Sequence, residues 1–445
     1  MNARPNVNKV TSLLPTKESY ISTNASTTRT TTERVGYLSV LAILTINLYS
    51  CGGGSTASKI SVVQSETQTE PLFTTREALG EALFSDVNLS LNRTQACATC
   101  HDPERAFIDT RLDANGLISA ASLADDGISL GDRNAISLTY SSFSPIFQFG
   151  THPRFNSQQP DYVGFLGGQL HDGRANDLQA QAGEPVVNAM GLESKLAVIE
   201  RILEDKDYEI SFKSVFGETI FNDTNGAFDA MTESIAAFEK TEVFATFDSK
   251  YDRSLNGEYL YEPGSKEALG RALFFSQAFT NCATCHQLHP NSNRNEIFSN
   301  FEYHNIGVPV NKFLRATNSS PPDFIDQGLL NNSEVENANE KGKFKVPSLR
   351  NVAVTAPYMH NGVFKDLVTV VKFYGQFMTN SNFTINPETG SAWMPPEISE
   401  TLAVQELRDG RKLDEADVEA LVCFMRTLTD ARYEHLIEDK GINCG

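Results

Sequence analysis

Apolar residues recur at helical spacing in six stretches of the chain, whereas the alternating patterns typical of strands are scarce. Two of these stretches, residues 77–84 and 267–274, read EALGEALF and EALGRALF and carry Ala and Leu on one face, with a glycine on the packed side. The other four are longer amphipathic segments at 193–217, 227–244, 365–378 and 413–430. The pattern predicts a mainly helical protein in which residues 318–343 form a long polar loop.

The two short stretches belong to an internal repeat. Segments 76–101 and 266–286 each contain a basic residue, then Glu-Ala-Leu-Gly-x-Ala-Leu-Phe, a polar connection and Cys-Ala-Thr-Cys-His. Similarity of this length indicates two copies of one helix-and-loop unit. A chain of 445 residues has room for two domains, which we predict at 71–247 and 248–445.

The residues before the first repeat resemble a targeting signal. An apolar run from Val35 to Ser50 is shorter than the roughly 20 residues of a membrane-spanning helix and is typical of a secretory signal. Cys51 resembles the lipidated first residue of a bacterial lipoprotein, so we predict a signal segment over 1–51 and a flexible linker over 52–70. An ordinary cleaved signal and an uncleaved anchor are the alternatives, and all three predict a location outside the cytoplasm.

The charge of the chain narrows its possible partners. Acidic residues outnumber basic ones 56 to 37, which gives a formal net charge of -19. Such a surface repels a phosphate backbone, so nucleic acid is excluded as a partner. It attracts a basic protein, although an acidic surface can also serve solubility alone.

The repeated motif is where the chemistry is expected. Cys-x-x-Cys by itself is compatible with a thiol redox pair, half a zinc site or a haem attachment site. Here each pair is followed by histidine, giving the sets Cys97, Cys100, His101 and Cys282, Cys285, His286. Two thiols at this spacing can add to the vinyl groups of one porphyrin, and the adjacent imidazole then lies beneath the iron. We therefore predict two covalently bound c-type haems, with zinc or disulfide bonds as the alternatives.

Two further cysteines lie near the end of the chain. In an oxidising compartment, Cys423 and Cys444 can form a disulfide that pins the C-terminal tail. Two unpaired thiols are the alternative.

The motifs and their surroundings resemble the bacterial di-haem cytochrome c peroxidase family, and its MauG-like branch in particular. The resemblance extends over nearly the whole chain after the signal, through EALGEALFSDVNLS, CATCHDPERAFIDTR, GDRNAISL, HDGRANDLQAQAGEP, FEYHNIGV and FKVPSLRNVAVTAPYMHNGVF. It implies two cytochrome c-like domains, with His101 proximal to a peroxidatic iron and His286 proximal to an electron-relay iron. It also implies a calcium ion held by the side chain of Asn134 and the carbonyls of Thr355 and Pro357.

Two positions distinguish the branches of this family. Members with a blocked first iron have a histidine in the loop after the first motif. Here the only histidine between His101 and His171 is His152, which lies beyond that loop, so the first iron is predicted to be open. The second iron has a distal Met in other members, and the matching position is Tyr374, as in MauG-like proteins, where a phenolate lowers the reduction potential. The alternative is a packed helix face with Met378 as the ligand.

Two departures from the family concern catalysis. A tryptophan between the haems is replaced by His171, which we expect either to form hydrogen bonds between haem propionates or to be an ordinary loop residue. Gln181 matches the catalytic glutamine, but the glutamate ten residues later is replaced by Gly191. Glu193 or Glu184 is therefore the candidate group that moves a proton between the two peroxide oxygens.

The resemblance implies an oxidoreductase that reduces hydrogen peroxide with electrons from a small cytochrome c or cupredoxin, and the signal segment predicts that it is periplasmic and lipid-anchored through Cys51. In the MauG-like alternative, the oxidising equivalents of peroxide oxidise residues of a partner protein. The third possibility is an electron-transfer cytochrome without peroxide chemistry. It requires a further ligand on the first iron, such as His152.

Overall fold

The computed structural model describes residues 70–155, 159–276, 278–290 and 294–445. The predicted signal segment and Cys51 lie outside these residues. The described part belongs to one compact unit and is mainly helical, as predicted. Its first six helices are α1 (Arg76–Ser85), α2 (Cys97–Cys100), α3 (Leu178–Val187), α4 (Lys195–Leu203), α5 (Lys206–Phe216) and α6 (Thr224–Glu239).

The later helices repeat part of this order. They are α7 (Lys250–Leu255), α8 (Lys266–Phe274), α9 (Cys282–Cys285), α10 (Lys312–Thr317), α11 (Leu367–Gly375), α12 (Val404–Arg408) and α13 (Glu415–Arg426). Three antiparallel pairs of short strands lie between them: β1 (Gln148–His152) with β2 (Tyr162–Leu166), β3 (Tyr303–His304) with β4 (Phe344–Lys345), and β5 (Ile385–Asn386) with β6 (Ser391–Ala392). None of the helices within the described residues is both long and apolar enough to cross a bilayer.

The same helix crossing occurs twice, because α1 packs across α6 and α8 packs across α13. A Cβ atom added at Gly80 would lie 2.5 Å from the carbonyl carbon of Ser234, and one added at Gly270 would lie 2.5 Å from that of Ala420. Only a residue without a side chain permits this approach. The glycine in each copy of the repeat is therefore the contact point of the crossing.

The crossing also shows that α6 and α13 occupy equivalent positions in the two copies of the repeat. When the two helices are aligned on Ser234 and Ala420, residues 238–241 (FEKT) match residues 424–427 (FMRT). The internal repeat thus includes the helix that closes each unit, and not only the helix and motif that open it.

The buried apolar side chains form two large clusters that draw on different parts of the chain. One contains buried residues from Leu79 to Phe244, and the other contains buried residues from Tyr251 to Ile442. The change from one cluster to the other falls beside the predicted boundary at residue 247. The division into domains remains a prediction.

Two local features differ from the sequence pattern. The single amphipathic stretch 193–217 forms two helices, because the side chain of Asp205 accepts a hydrogen bond from the backbone N–H of Asp207 and caps α5. The β1–β2 hairpin was not predicted, and five residue pairs hold its strands together.

The predicted disulfide is confirmed. Cys423 in α13 is bonded to Cys444, with 5.4 Å between their Cα atoms. Arg426 holds the same tail through hydrogen bonds to the carbonyl oxygens of Glu438, Asp439 and Ile442. The tail is thus fixed against α13.

Candidate active site

Each Cys-Ala-Thr-Cys stretch forms one helical turn, α2 in the first copy and α9 in the second. The backbone N–H of the following histidine, His101 or His286, donates to the carbonyl oxygen of the first cysteine at 2.9 Å in both copies. Both thiols and the imidazole of each motif therefore start from the same turn, as attachment to one planar group requires.

The two imidazoles are oriented in the same way. Nδ1 of His101 lies 3.0 Å from the carbonyl oxygen of Phe107, and Nδ1 of His286 lies 3.0 Å from that of Phe298. A carbonyl can only accept, so Nδ1 carries the proton and Nε2 keeps its lone pair. Burial lowers the pKa of both imidazoles, that of His286 to about 4. A neutral ring with Nδ1 held by the backbone is the usual state of a metal-ligating histidine.

The four motif cysteines form no disulfide bonds within the described residues. Burial raises the pKa of Cys97 to about 12 and that of Cys282 to about 11, so neither is the thiolate that thiol redox chemistry requires. Within the described residues, no three His, Cys, Asp or Glu side chains are grouped so that they could hold a metal ion. The geometry thus favours haem attachment over a zinc site or a redox thiol pair.

A cavity of about 310 Å³ lies beside the second motif. Cys282, Cys285 and His286 form part of its wall, together with Leu421 and Met425 from α13. A space with apolar walls, two thiols and an imidazole fits a covalently attached haem.

The two candidates for the distal ligand of the second iron both line this cavity. Tyr374 is on α11, and Met378 follows that helix and is 4 % exposed. Burial raises the pKa of the Tyr374 hydroxyl, and the neighbouring thiols of Cys285 and Cys282 raise it further. Tyr374 lies close to the second motif, Met378 lines the same cavity, and the choice of Tyr374 as ligand remains a prediction.

His152 belongs to a hydrogen-bond network that includes Glu302 and His304. Its Nδ1 lies 3.2 Å from Oε1 of Glu302, whose Oε2 accepts a hydrogen bond from Nε2 of His304 at 2.9 Å. His304 lines the cavity of the second motif, beside Cys285. His152 is therefore engaged on the side of the second motif, and the open first iron remains a prediction.

Gln181, the predicted catalytic glutamine, is buried on α3. Its Oε1 has no hydrogen-bond partner among the described residues. A buried amide oxygen without a partner costs about 1–3 kcal/mol. This oxygen fits a ligand that would donate a hydrogen bond to it.

The two candidate carboxylates lie in different surroundings. Glu193 is exposed, and its φ of 59° places it in the turn before α4. Glu184 is on α3, where burial raises its pKa and Arg174 contacts it at 3.6 Å. Gly191, where the family has glutamate, has a φ of 78°, which strains any residue with a side chain.

The predicted calcium ligands are neighbours. Nδ2 of Asn134 lies 2.7 Å from the carbonyl oxygen of Pro357, and Thr355 lines the same cavity. Nε2 of His171 donates to the carbonyl oxygen of Asn134 at 3.0 Å, and burial lowers the pKa of His171 to about 4. Amide and carbonyl oxygens suit calcium, and the calcium site remains a prediction.

Glu239, at the end of α6, is a residue near the first motif that the sequence patterns did not reveal. It is 2 % exposed, and burial raises its pKa to about 8. Its Oε2 has no hydrogen-bond partner among the described residues. Its charge also raises the pKa of the Cys97 thiol, after burial itself. An alignment of residues 238–241 with 424–427 would have revealed Glu239, because it is a carboxylic acid at a position where the second copy has the apolar residue Met425.

Comparison with known proteins gives the same picture as the motif geometry. A family model described as di-haem cytochrome c peroxidase matches residues 74–259. The chain is 44% identical to the methylamine utilization protein MauG of Paracoccus denitrificans. The alignment of 376 residues covers 84% of this chain and 93% of that protein. It is 26% identical to the cytochrome c peroxidase Ccp of Escherichia coli. That alignment of 410 residues covers 92% of this chain and 69% of the relative.

A solved structure supports the relationship. The diheme peroxidase BthA of Burkholderia thailandensis superposes with a TM-score of 0.70 at 29% identity, covering 83% of this chain and 89% of that one. The similarity to MauG extends over most of both chains. The chain therefore belongs to the di-haem cytochrome c peroxidase family, whose cofactors are two c-type haems.

Proposed function

We propose that the chain is a peroxidase that reduces hydrogen peroxide with electrons from a small cytochrome c or cupredoxin. One haem would be joined to Cys97 and Cys100, and the other to Cys282 and Cys285. The observation that carries the proposal is the orientation of the two motif imidazoles, in which the backbone fixes Nδ1 and leaves Nε2 free. Peroxide would bind at the first site, and the second site would pass electrons to it.

We also propose two cytochrome c-like domains, at 71–247 and 248–445. The duplicated helix crossing at Gly80 and Gly270 supports this division, as do the two separate clusters of buried apolar residues. In each domain the crossing would hold the motif turn against the helix that closes the unit.

Several residues of the chain would act around the haems, whose irons supply one-electron chemistry and a position for peroxide. His101 and His286 would hold the irons, with each ring kept in place by its backbone carbonyl. Gln181 would accept a hydrogen bond from peroxide through its unpartnered Oε1. No histidine of the described residues between His101 and His171 would compete, because His152 is bonded to Glu302.

Peroxide reduction to two waters consumes two protons, so a carboxyl group near the first site is needed. Glu184 fits this role better than Glu193. It lies three residues after Gln181 on α3, so both side chains project from the same face of the helix. Burial raises the pKa of Glu184 above its ordinary value, whereas Glu193 is exposed.

A second function is supported by Tyr374 and by the similarity to MauG. The enzyme would use peroxide to oxidise residues of a partner protein. The hydroxyl of Tyr374 would then hold the second iron as an anionic ligand that favours oxidised iron. Donor oxidation without change in the partner would favour the first function, whereas a mass change in the partner without any donor would favour the second.

We place the enzyme outside the cytoplasm. The Cys423–Cys444 disulfide supports this location, because such bonds persist in oxidising compartments. A lipid anchor at Cys51 and a calcium ion at Asn134, Thr355 and Pro357 belong to the same proposal.

The proposal is tested first by cofactor content and then by turnover. The denatured haemochrome spectrum should report two haems per chain, and one for the variant that combines Cys97→Ser with Cys100→Ser. Oxidation of a reduced cytochrome c or cupredoxin by peroxide should be slower in Gln181→Leu. Gln179→Leu is the matched control, because Gln179 lies on the same helix and contacts only the Asp229 carbonyl among its described hydrogen bonds. A chain with two haems and no peroxide consumption would overturn the proposed activity.

A further inference from the structure

The crossing of α6 and α13 with their partner helices gives each haem site an equivalent position. Five residues beyond the contact points Ser234 and Ala420 stand Glu239 and Met425. Met425 lines the cavity that contains Cys282 and Cys285. Because the repeat builds both sites in the same way, Glu239 occupies the matching position in the first site.

Electrostatics independently links Glu239 to the first motif. Its carboxylate raises the pKa of the Cys97 thiol, second only to burial. Cys97 also packs against the apolar cluster that contains Phe238, the residue before Glu239. The carboxyl group thus lies within the electrostatic reach of the group that Cys97 would hold.

The surroundings of Glu239 favour its neutral form. The side chain is 2 % exposed, and its Oε2 has no hydrogen-bond partner among the described residues. An ionised carboxylate buried without a partner is strongly disfavoured. A positive charge nearby offsets this penalty, and removal of that charge restores it.

The charged groups around α6 do not provide a fixed partner. Lys240 is exposed at the next position and lowers the pKa of Glu239 less than burial raises it. The helices that pack against α6 carry the charged residues Arg76, Glu77 and Glu81 on α1, Glu184 on α3, and Lys195, Glu200 and Arg201 on α4. The motif turn α2 adds the titratable groups Cys97, Cys100 and His101. The charge most able to change beside Glu239 is therefore that of the first haem site itself.

We infer that Glu239 is a proton-exchanging residue of the first haem site, which binds one proton when that site gains one electron and releases it when the electron leaves. The electron comes from the protein donor and the proton comes from water, so the net charge of the site is unchanged. The inference rests on the proposed attachment of a haem at Cys97 and Cys100. It gives this site a proton store at the position where the second site has Met425.

The test is a spectroelectrochemical titration of the holoprotein between about pH 5 and 9. In the wild type, the reduction equilibrium of the first haem should change by up to tenfold per pH unit, which is about 59 mV for one electron. Glu239→Gln should remove most of this dependence. Glu242→Gln, which changes an exposed carboxylate three residues away, should keep it.

Two further features keep the test decisive. Glu239→Met reproduces the residue found in the second site and should also remove the dependence, so it serves if the Gln variant does not fold. A wild-type potential that does not vary with pH would overturn the inference, as would an unchanged slope in Glu239→Gln. Haem content is measured separately, so fewer than two haems per chain would instead contradict the proposed attachment.

Discussion

We predict that Gly270→Ala, at the crossing of α8 and α13, destabilises the protein, although alanine has the higher helix propensity. In an ordinary helix, Gly→Ala stabilises by about 1 kcal/mol. At Gly270 the added Cβ would lie 2.5 Å from the carbonyl carbon of Ala420 and 2.9 Å from Cβ of Phe424. Carbon atoms rest about 3.5–4.0 Å apart, so α8 and α13 must separate by about 1 Å. The obstructing atoms are mainly backbone, which cannot rotate away.

The magnitude follows from two effects. Overpacking of this kind costs about 1–3 kcal/mol, and a gap of about 1 Å removes up to half of the dispersion energy of the facing atoms. After the propensity gain of about 1 kcal/mol is subtracted, about 0–2 kcal/mol of the overpacking cost remains, and the lost dispersion energy moves the expected decrease in the free energy of unfolding of Gly270→Ala to the upper end, about 2 kcal/mol. The spectrum of the second haem should also change, because Leu421 and Met425 lie on the same helix and line its cavity.

The assay is urea denaturation of the holoprotein, followed by far-UV circular dichroism. Gly150→Ala is the matched control, because its added Cβ would meet its nearest atom, Cδ1 of Leu166, at an ordinary 3.9 Å. The control should not lower the free energy of unfolding, and at most raises it by about 1 kcal/mol, because alanine is favoured over glycine inside a strand. A Gly270→Ala protein as stable as the wild type would refute the close crossing.

Three further predictions concern single residues. Tyr374→Phe should change the electron paramagnetic resonance signal of the second haem, whereas Met378→Leu should leave it unchanged; the opposite result would make Met378 the ligand. Cys444→Ser should lower the free energy of unfolding by about 3 kcal/mol in denaturant titrations, since the disulfide closes a loop with a sequence separation of 21. Glu239 has a folded-state pKa of about 8 against an ordinary 4.5, so the folded state keeps a proton that the unfolded state releases. In the reduced protein, in which the inferred proton is bound, wild-type stability should therefore fall as pH rises between these values, by up to about 5 kcal/mol, and the fall should be smaller in Glu239→Gln. Parallel pH profiles for the two proteins would contradict the buried carboxyl.

Features encoded in short segments could be predicted from the sequence. The helix of stretch 413–430 is present as α13, because its apolar spacing coincides with an N-terminal cap at Asp414. The Cys-Ala-Thr-Cys-His motifs likewise predict their own geometry, since the two thiols and the imidazole belong to one turn. The disulfide at Cys423 and Cys444 could be predicted because few cysteines remained once the motifs were assigned.

Features that depend on distant residues could not be predicted. His152 is held by Glu302, 150 residues further along the chain, and no local pattern relates the two. Glu239 is buried at the end of α6, which packs against α1, and its Oε2 has no hydrogen-bond partner among the described residues. This burial depends on tertiary packing, which no local pattern reveals. The break at Asp205 is a local case in which one capping side chain outweighs a continuous apolar pattern.

The central claim is that the first site holds a haem iron with an open position and the second site holds one that is fully ligated. Low-temperature electron paramagnetic resonance of the oxidised holoprotein, before and after one equivalent of hydrogen peroxide, tests it most directly. We predict one high-spin signal that disappears with peroxide and one low-spin signal. Two low-spin signals that peroxide does not change would contradict the open first site and would leave a reductively activated peroxidase or a plain electron carrier.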